Sequence, residues 1–331
     1  MSRRVLWVVI PLLAALHTVP AGAQALPAAA SARELKVILL GTAGGPTINP
    51  QRFGISTLIV AGSERLLFDA GRSSLTALAR LDINPADVTK VFLTHLHSDH
   101  VFALPELYLA PWASQGRQVP LQVWGPQGTQ SMMKHLEAAF AFDIHVRRDL
   151  DEKFPANGIK VVAHDIREGA VYDANGVTVT AFLVDHGQVK PAFGYRIDYQ
   201  GRSLIISGDT KPSENLIKHS QGVDLLIHEL GRWKDDPLMS GAPDELLPNS
   251  RQTRGQVRTI AAHHTDGAEA GRVFERVKPK LALFSHYNVA PAATLPLVRQ
   301  SYSGPVEFGE DLMTIDIGED VIVHRFVPAA R

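Results

Sequence analysis

Short apolar runs, separated by glycines and turn-forming polar residues, set the rhythm of this 331-residue chain. In the first half Lys36–Leu40, Ser56–Ala61, Arg65–Phe68, Lys90–Leu93 and Leu121–Trp124 read as strands. In the second half Val177–Val184, Phe193–Asp198, Ser203–Ser207, Leu225–Ile227, Leu281–Phe284, Leu312–Ile317 and Val321–Phe326 do the same. Helical spacing covers Ser73–Leu81 and roughly 103–112, 127–140, 213–219 and 268–277. Strands outnumber helices, fall into two groups and pair through short turns such as Tyr199-Gln200-Gly201. This pattern predicts an α/β protein, a four-layer αββα sandwich of two mixed β-sheets with outer helices. No internal repeat or linker divides residues 34–331, so they read as one domain. Residues 231–262 depart from the rhythm, being polar, rich in Pro and Gly, and too long for an idle connection. They are a candidate substrate loop.

The N-terminus is patterned differently. Arg3-Arg4 precedes an apolar stretch from Val5 to Leu16, and small residues follow at Ala21-Gly22-Ala23-Gln24-Ala25. Residues 1–25 thus read as a secretory signal peptide, with 26–33 a flexible leader. The stretch is short of the ~20 apolar residues that a membrane span needs, and no later segment is long and apolar enough to cross a bilayer. The expectation is a periplasmic or secreted protein without a membrane span once the signal is cleaved.

Composition narrows the chemistry. There are 33 basic and 34 acidic residues, and cleavage would remove Arg3 and Arg4 but no acid, leaving a charge near −3. Such a balance offers no electrostatic attraction to nucleic acid or anionic lipid. The chain has no cysteine, so disulfides, thiolate nucleophiles and Cys-ligated metals are all excluded, while 14 histidines are available. The densest cluster is Thr94-His95-Leu96-His97-Ser98-Asp99-His100, directly after the apolar Val91-Phe92-Leu93. Alternate residues at a strand end project to one side, so His95, His97 and Asp99 converge, and a turn into a following helix swings Asp99 and His100 towards a second point. Imidazoles with a carboxylate suit zinc, iron or manganese. Other strand ends carry His186, Asp209 and His286, each a ligand type closing an apolar run.

With these residues in view, the chain resembles the metallo-β-lactamase superfamily, whose hallmark is H-x-H-x-D-H. Within it, the pattern is closest to the ribonuclease Z-like branch that also holds zinc arylsulfatases. The opening glycine loop Leu40-Gly41-Thr42-Ala43-Gly44-Gly45-Pro46 with Arg52, the segment Leu67-Phe68-Asp69-Ala70-Gly71, Trp124-Gly125-Pro126-Gln127-Gly128, Phe193-Gly194-Tyr195-Arg196, Ser207-Gly208-Asp209-Thr210, His264-Thr265 and Phe284-Ser285-His286 carry the likeness. The resemblance implies two Zn2+ ions, with Mn2+ or Fe2+ as alternatives. His95, His97 and His186 would hold the first, Asp99, His100 and His286 the second, and Asp209 would bridge them. It implies catalytic parts for Asp99, which would accept or orient a water proton, and for His264, which would protonate the leaving group. Asp69 would steady the loop of His95–His100, although locally it reads equally well as a turn cap. Glu229 reads more simply as a strand-end polar residue than as a partner of His264, and His263 and His228 have no assigned part. His135, His145, His164, His219 and His324 lack motif context and read as surface or structural histidines.

The implied activity is that of an exported dinuclear hydrolase, whose metal-activated hydroxide attacks a small sulfate or phosphate ester, as an arylsulfatase or phosphodiesterase does. A lactonase or β-lactamase-type hydrolase is the alternative within the class, and a non-catalytic metal- or ligand-binding protein the alternative outside it. Nucleic acid is set aside as a partner on the acidic balance, and because tRNA-processing members carry a long arm where His186 and Asp209 here are 22 residues apart.

Overall fold

A computed structural model describes residues 35–232, 240–246 and 251–327. The signal and leader readings on residues 1–33 lie outside it, as do parts of 231–262. Strands β1 (Leu35–Gly41), β2 (Ser56–Ala61), β3 (Glu64–Phe68), β4 (Lys90–Phe92), β5 (Leu121–Gly125) and β6 (Val161–Asp165) build most of one sheet. The chain then lays down β7 (Gly169–Ala174), β8 (Val177–Leu183), β9 (Phe193–Tyr199), β10 (Arg202–Ile206), β11 (Leu225–Leu230), β12 (Leu281–Tyr287) and β13 (Val306–Phe308) as the second. It finally returns to the first sheet with β14 (Thr314–Ile317) and β15 (Val321–His324). The orders are β15-β14-β1-β2-β3-β4-β5-β6 and β13-β12-β11-β10-β9-β8-β7. Both sheets are mixed: β3 to β6 and β10 to β13 run parallel, and the remaining neighbours antiparallel.

Three cores define the layers. Val37, Ile59, Phe68 and Phe92 from the first sheet meet Val179, Tyr195, Ile197, Leu204, Ile227 and Leu283 from the second. The opposite face of the first sheet, through Leu58, Leu67, Val91 and Leu93, packs on α1 (Ser74–Arg80) and α3 (Leu104–Ser114). The opposite face of the second, through Leu226, Ala282 and Phe284, packs on α6 (Glu214–His219) and α8 (Gly267–Val277). Strands buried on both faces carry near-continuous apolar runs, which is why the sequence announced them. The helix α2 (Ser98–Val101) takes in the end of the histidine motif, α4 (Thr129–Ala139) and α5 (Ala141–His145) follow β5, and α9 (Pro291–Val298) follows β12. The candidate loop 231–262 contains a helix, α7 (Arg254–Ala261), opened by a capping box between Thr253 and Gln256. Among the described residues no helix is long and apolar enough to cross a membrane.

Candidate metal centre

The structure places the candidate residues at or just past strand ends, with Asp99 grouped with His100 and not with His95 and His97. β4 ends at Phe92, and His95 and His97 lie just past its carboxyl end. His97 is the N-cap of α2, with extended φ and ψ of −63° and 146°, so the chain turns there and carries Asp99 and His100 into the first helical turn. His186 follows β8, Asp209 follows β10 and His286 is the penultimate residue of β12. Gly208, at φ 60°, aims Asp209; a Cβ there would stand 2.4 Å from the Phe193 carbonyl oxygen.

These seven side chains meet in two groups. One is His95, His97, His186 and Asp209; the other is Asp99, His100 and His286. Asp209 Oδ2 lies 3.8 Å from Nε2 of both His95 and His186 and 3.5 Å from Nε2 of His100, while its Oδ1 is 3.0 Å from His286 Nδ1. It therefore sits between the groups. Six of the seven are buried, His97 alone being exposed. Burial presses the imidazoles of His95, His97 and His186 below their ordinary pKa, which keeps their lone pairs available. Burial alone would raise Asp99, but its hydrogen bond with His286 and the nearby His100 prevail and hold it down at about 2.

The hydrogen-bond partners set which nitrogen faces inward. His95 Nδ1 is 3.0 Å from the Thr94 hydroxyl, His100 Nδ1 2.8 Å from Asp69 Oδ2, and His186 Nδ1 3.1 Å from the His263 carbonyl. Each Nδ1–H is thereby committed as a donor, leaving Nε2 to the site. The Nε2 atoms of His95 and His100, Nδ1 of His286 and Oδ1 of Asp209 are buried with no hydrogen-bond partner. Orphaned polar atoms converging from three strand ends are what a cation satisfies. The donor set, nitrogen and carboxylate oxygen without sulfur, fits a divalent metal of the zinc type.

Asp69, at φ 56°, accepts from the Thr94 backbone N–H at 2.8 Å and from the Thr94 hydroxyl at 2.9 Å, besides facing His100. It is thus tied to the histidine loop rather than capping a local turn. Glu229 departs from its simpler reading. Its Oε2 pairs with His264 Nδ1 at 3.1 Å and its Oε1 accepts from the Thr265 N–H at 2.8 Å. His264 stands 4.0 Å from Asp209 Oδ2. Burial opposes its charged form, but the Glu229 carboxylate outweighs that and lifts His264 to about 9. The signal for Glu229 was present, since a carboxylate inside the wholly buried strand Leu225–Leu230 requires a partner. A second missed feature locks the opening glycine loop. Asp311 accepts from the Thr42 and Phe53 N–H groups, and Arg52 donates to the carbonyls of Thr42 and Tyr287 while stacking 4.1 Å over the Tyr287 ring, beside His286. His135, His145 and His324 make surface contacts outside the site, as expected.

The fold and this cluster define a metal-dependent hydrolase of the metallo-β-lactamase type. The family model of the β-lactamase superfamily domain matches residues 64–287, and the chain belongs to that superfamily. Its relatives include a ribonuclease Z from Mycobacterium bovis, 31% identical over 294 residues that cover 86% of this chain and 98% of that one. The fold matches the metallo-β-lactamase fold protein YhfI from Bacillus subtilis with a TM-score of 0.65 at 17% identity, over 86% of this chain and 99% of that one. It also matches the short form of human tRNase Z, with a TM-score of 0.61 at 22% identity, over 85% and 98%.

The ribonuclease Z relatives overturn the choice of a small-molecule ester as partner and the exclusion of nucleic acid. Charge summed over a chain does not measure the field inside one cleft, least of all a cleft built to hold divalent cations. β9 and β10 fill most of the stretch between His186 and Asp209 and join through Gln200-Gly201, both at positive φ.

Proposed function

We propose that this chain is a two-metal phosphodiesterase acting on RNA. The observation that carries the reading is the meeting of seven His and Asp side chains beside a proton-donating pair, Glu229 and His264. The substrate class is supported by the extent of the likeness to a ribonuclease Z, which spans nearly the whole of that relative. In this reading His95, His97 and His186 hold one ion, Asp99, His100 and His286 the other, and Asp209 both; zinc fits the donors best and manganese or iron fit them too. Bound there, the ions would acidify water and take up negative charge developing on the phosphate.

The remaining work falls to this chain's own groups. Asp99, ionised at neutral pH, accepts a proton from the attacking water or orients it. His264, protonated because Glu229 faces its Nδ1, has its Nε2–H for the departing ribose oxygen, so that the P–O bond breaks to give a neutral alcohol. Glu229 is held in turn by the Thr265 N–H, which fixes the ring's direction. Arg52 and Asp311 keep the loop facing His286 in place.

The test is a panel with metal-loaded protein: a 3′-extended RNA, bis(p-nitrophenyl) phosphate, p-nitrophenyl sulfate, a lactone and nitrocefin. Cleavage of the RNA and of the phosphate diester is expected. Turnover confined to the sulfate, lactone or nitrocefin would overturn the proposal. Export belongs to the same proposal, and a mature N-terminus beginning near residue 24 or 26, found by mass spectrometry on the periplasmic fraction, would bear it out.

A further inference from the structure

The cleft over the His/Asp cluster has a volume of about 870 Å3, and its floor includes His97, Asp99, Asp209, His264 and His286. Its walls are of another character. The loop 45–50 presents Ile48, 76% exposed. The helix α7 presents Val257 and Ile260, the latter 46% exposed. Exposed branched aliphatics are unremarkable singly. Here, from two separate elements, they line one cleft together with charged, metal-type donors.

Both walls are deliberately fastened. Arg72 donates to the carbonyls of Pro46 and Thr47 at 3.0 and 2.9 Å, which fixes the loop carrying Ile48. The helix α7 has eight residues, too few to persist alone, and is held by its capping box and by Arg258 donating to the Gly241 carbonyl at 2.9 Å. Its only buried residue is Ala261, so its apolar stripe was not spent on a core. That stripe runs into the catalytic pair: the His263 N–H donates to the Ile260 carbonyl at 3.0 Å and the His264 N–H to Ala261 at 3.3 Å, so the turn continues past the helix. Ile260 and His264 both line this cleft.

Resting on the phosphodiesterase reading, we propose that Ile48, Val257 and Ile260 form an apolar clamp that grips the flat face of one nucleobase next to the scissile phosphodiester. A nucleobase suits this geometry because it joins an apolar face to the phosphate through a sugar, matching apolar walls that stand over a polar floor. Gripping by the face ignores the hydrogen-bonding edge. The clamp therefore discriminates by ring size and not by base identity.

The experiment uses metal-loaded protein and three substrates: a diadenosine and a diuridine phosphodiester, and the same dinucleotide backbone with both bases removed. The expected kcat/KM ranks purine over pyrimidine over abasic, with about tenfold between the extremes, the scale of an apolar pocket contact. Ile48→Ser and Ile260→Ser, on separate elements, each collapse that ratio towards one. Ile48 is exposed on a loop, so its variant keeps the test valid even if Ile260→Ser disturbs α7. Equal wild-type rates with and without bases would overturn the clamp while leaving the phosphodiesterase reading standing. So would ratios that survive both substitutions. Failure to cleave any of the three, together with bis(p-nitrophenyl) phosphate, would instead remove the phosphodiesterase reading on which the clamp rests.

Discussion

Asp69→Asn is the sharpest perturbation of the site that replaces no metal donor. Asparagine keeps the size of the side chain and tolerates the left-handed φ of 56° that Asp69 adopts. What changes is the hydrogen-bond polarity. The Thr94 backbone N–H at 2.8 Å can only donate, so the amide oxygen must stay there and the NH2 group must turn to His100 Nδ1. His100 Nδ1 then has to accept, which moves the imidazole proton to Nε2, the atom facing Asp209 and the site. Both partners are buried, so water does not screen the change. Exchanging a charge-assisted bond for a neutral one costs about 1–2 kcal/mol of stability, or a few degrees in Tm. Loss of such an orienting partner lowers metal affinity 10–100-fold, equivalent to about 1.4–2.8 kcal/mol. Asp69→Ala separates the two effects. It strands both Thr94 groups and meets strain at positive φ, so it unfolds more easily, yet it leaves His100 free to keep its proton on Nδ1. Calorimetric zinc titration of apoprotein should rank wild type above Ala above Asn in affinity, while thermal unfolding ranks wild type above Asn above Ala. If Asn binds zinc as tightly as wild type, or more tightly than Ala, the tautomer argument is wrong.

Three further outcomes follow from the same geometry. His264→Ala should lower kcat by 10²–10⁴, the usual weight of a general acid, with metal content by elemental analysis unchanged. Because Glu229 lifts His264 to about 9, kcat should fall as pH rises through that region, and Glu229→Gln should move this limb towards neutrality; a limb that stays put would show that Glu229 does not set the proton. Chelation should lower Tm, since it restores the orphaned buried nitrogens and oxygens, and re-addition of zinc should raise Tm with metal concentration. Glu64 offers a check far from the site: burial would raise it, but Lys90 at 2.8 Å and Asn175 outweigh that and lower its pKa. Its stabilising effect is therefore full above the unfolded value of about 4.5 and lost on acidification, so the Tm gap between wild type and Glu64→Gln should close as pH falls.

Much of this architecture is legible in the chain because both sheets are covered on both faces. Runs such as Leu225–Ile227 and Leu281–Phe284 are apolar throughout and stand out as strands. β6 and β7 escaped notice because they are half-covered and patterned by neither alternation nor continuity, with no fully buried residue in either. β13 has three residues, and α9 holds two prolines and no polar face, so neither has a period to detect. α7 was concealed in a polar stretch, although Thr253 and Gln256 are a helix-start signature. The seven metal-type donors were readable because strand ends place them, and strand ends are visible. The link between Glu229 and His264 was not, since 35 residues separate them and only the packing of β11 against the segment before α8 brings them together.

The same distinction explains why charge misled about the substrate. A count of 33 basic and 34 acidic residues averages over the whole surface, and a share of those charges is engaged locally, as in the Arg147–Asp143, Arg276–Glu214 and Arg325–Glu307 pairs. Pairs of this kind cancel at any distance beyond a Debye length of about 8–10 Å, so they neither attract nor repel a phosphodiester entering the cleft. What that group meets is the floor, where imidazoles and the carboxylates of Asp99 and Asp209 converge as a donor set for divalent cations. Each such ion would bring two positive charges that no residue count includes, in a site walled by low-dielectric side chains where they act most strongly. Affinity for a strand spread over many surface phosphates needs lysine and arginine clusters; affinity for one phosphate at a metal pair does not. The chain is therefore expected to bind RNA weakly and with a shallow salt dependence, a log–log slope of one or two rather than the steep slope of a multi-phosphate interface. A filter-binding series across salt on the metal-loaded protein measures that slope, and a value near ten would require a basic track elsewhere on the surface.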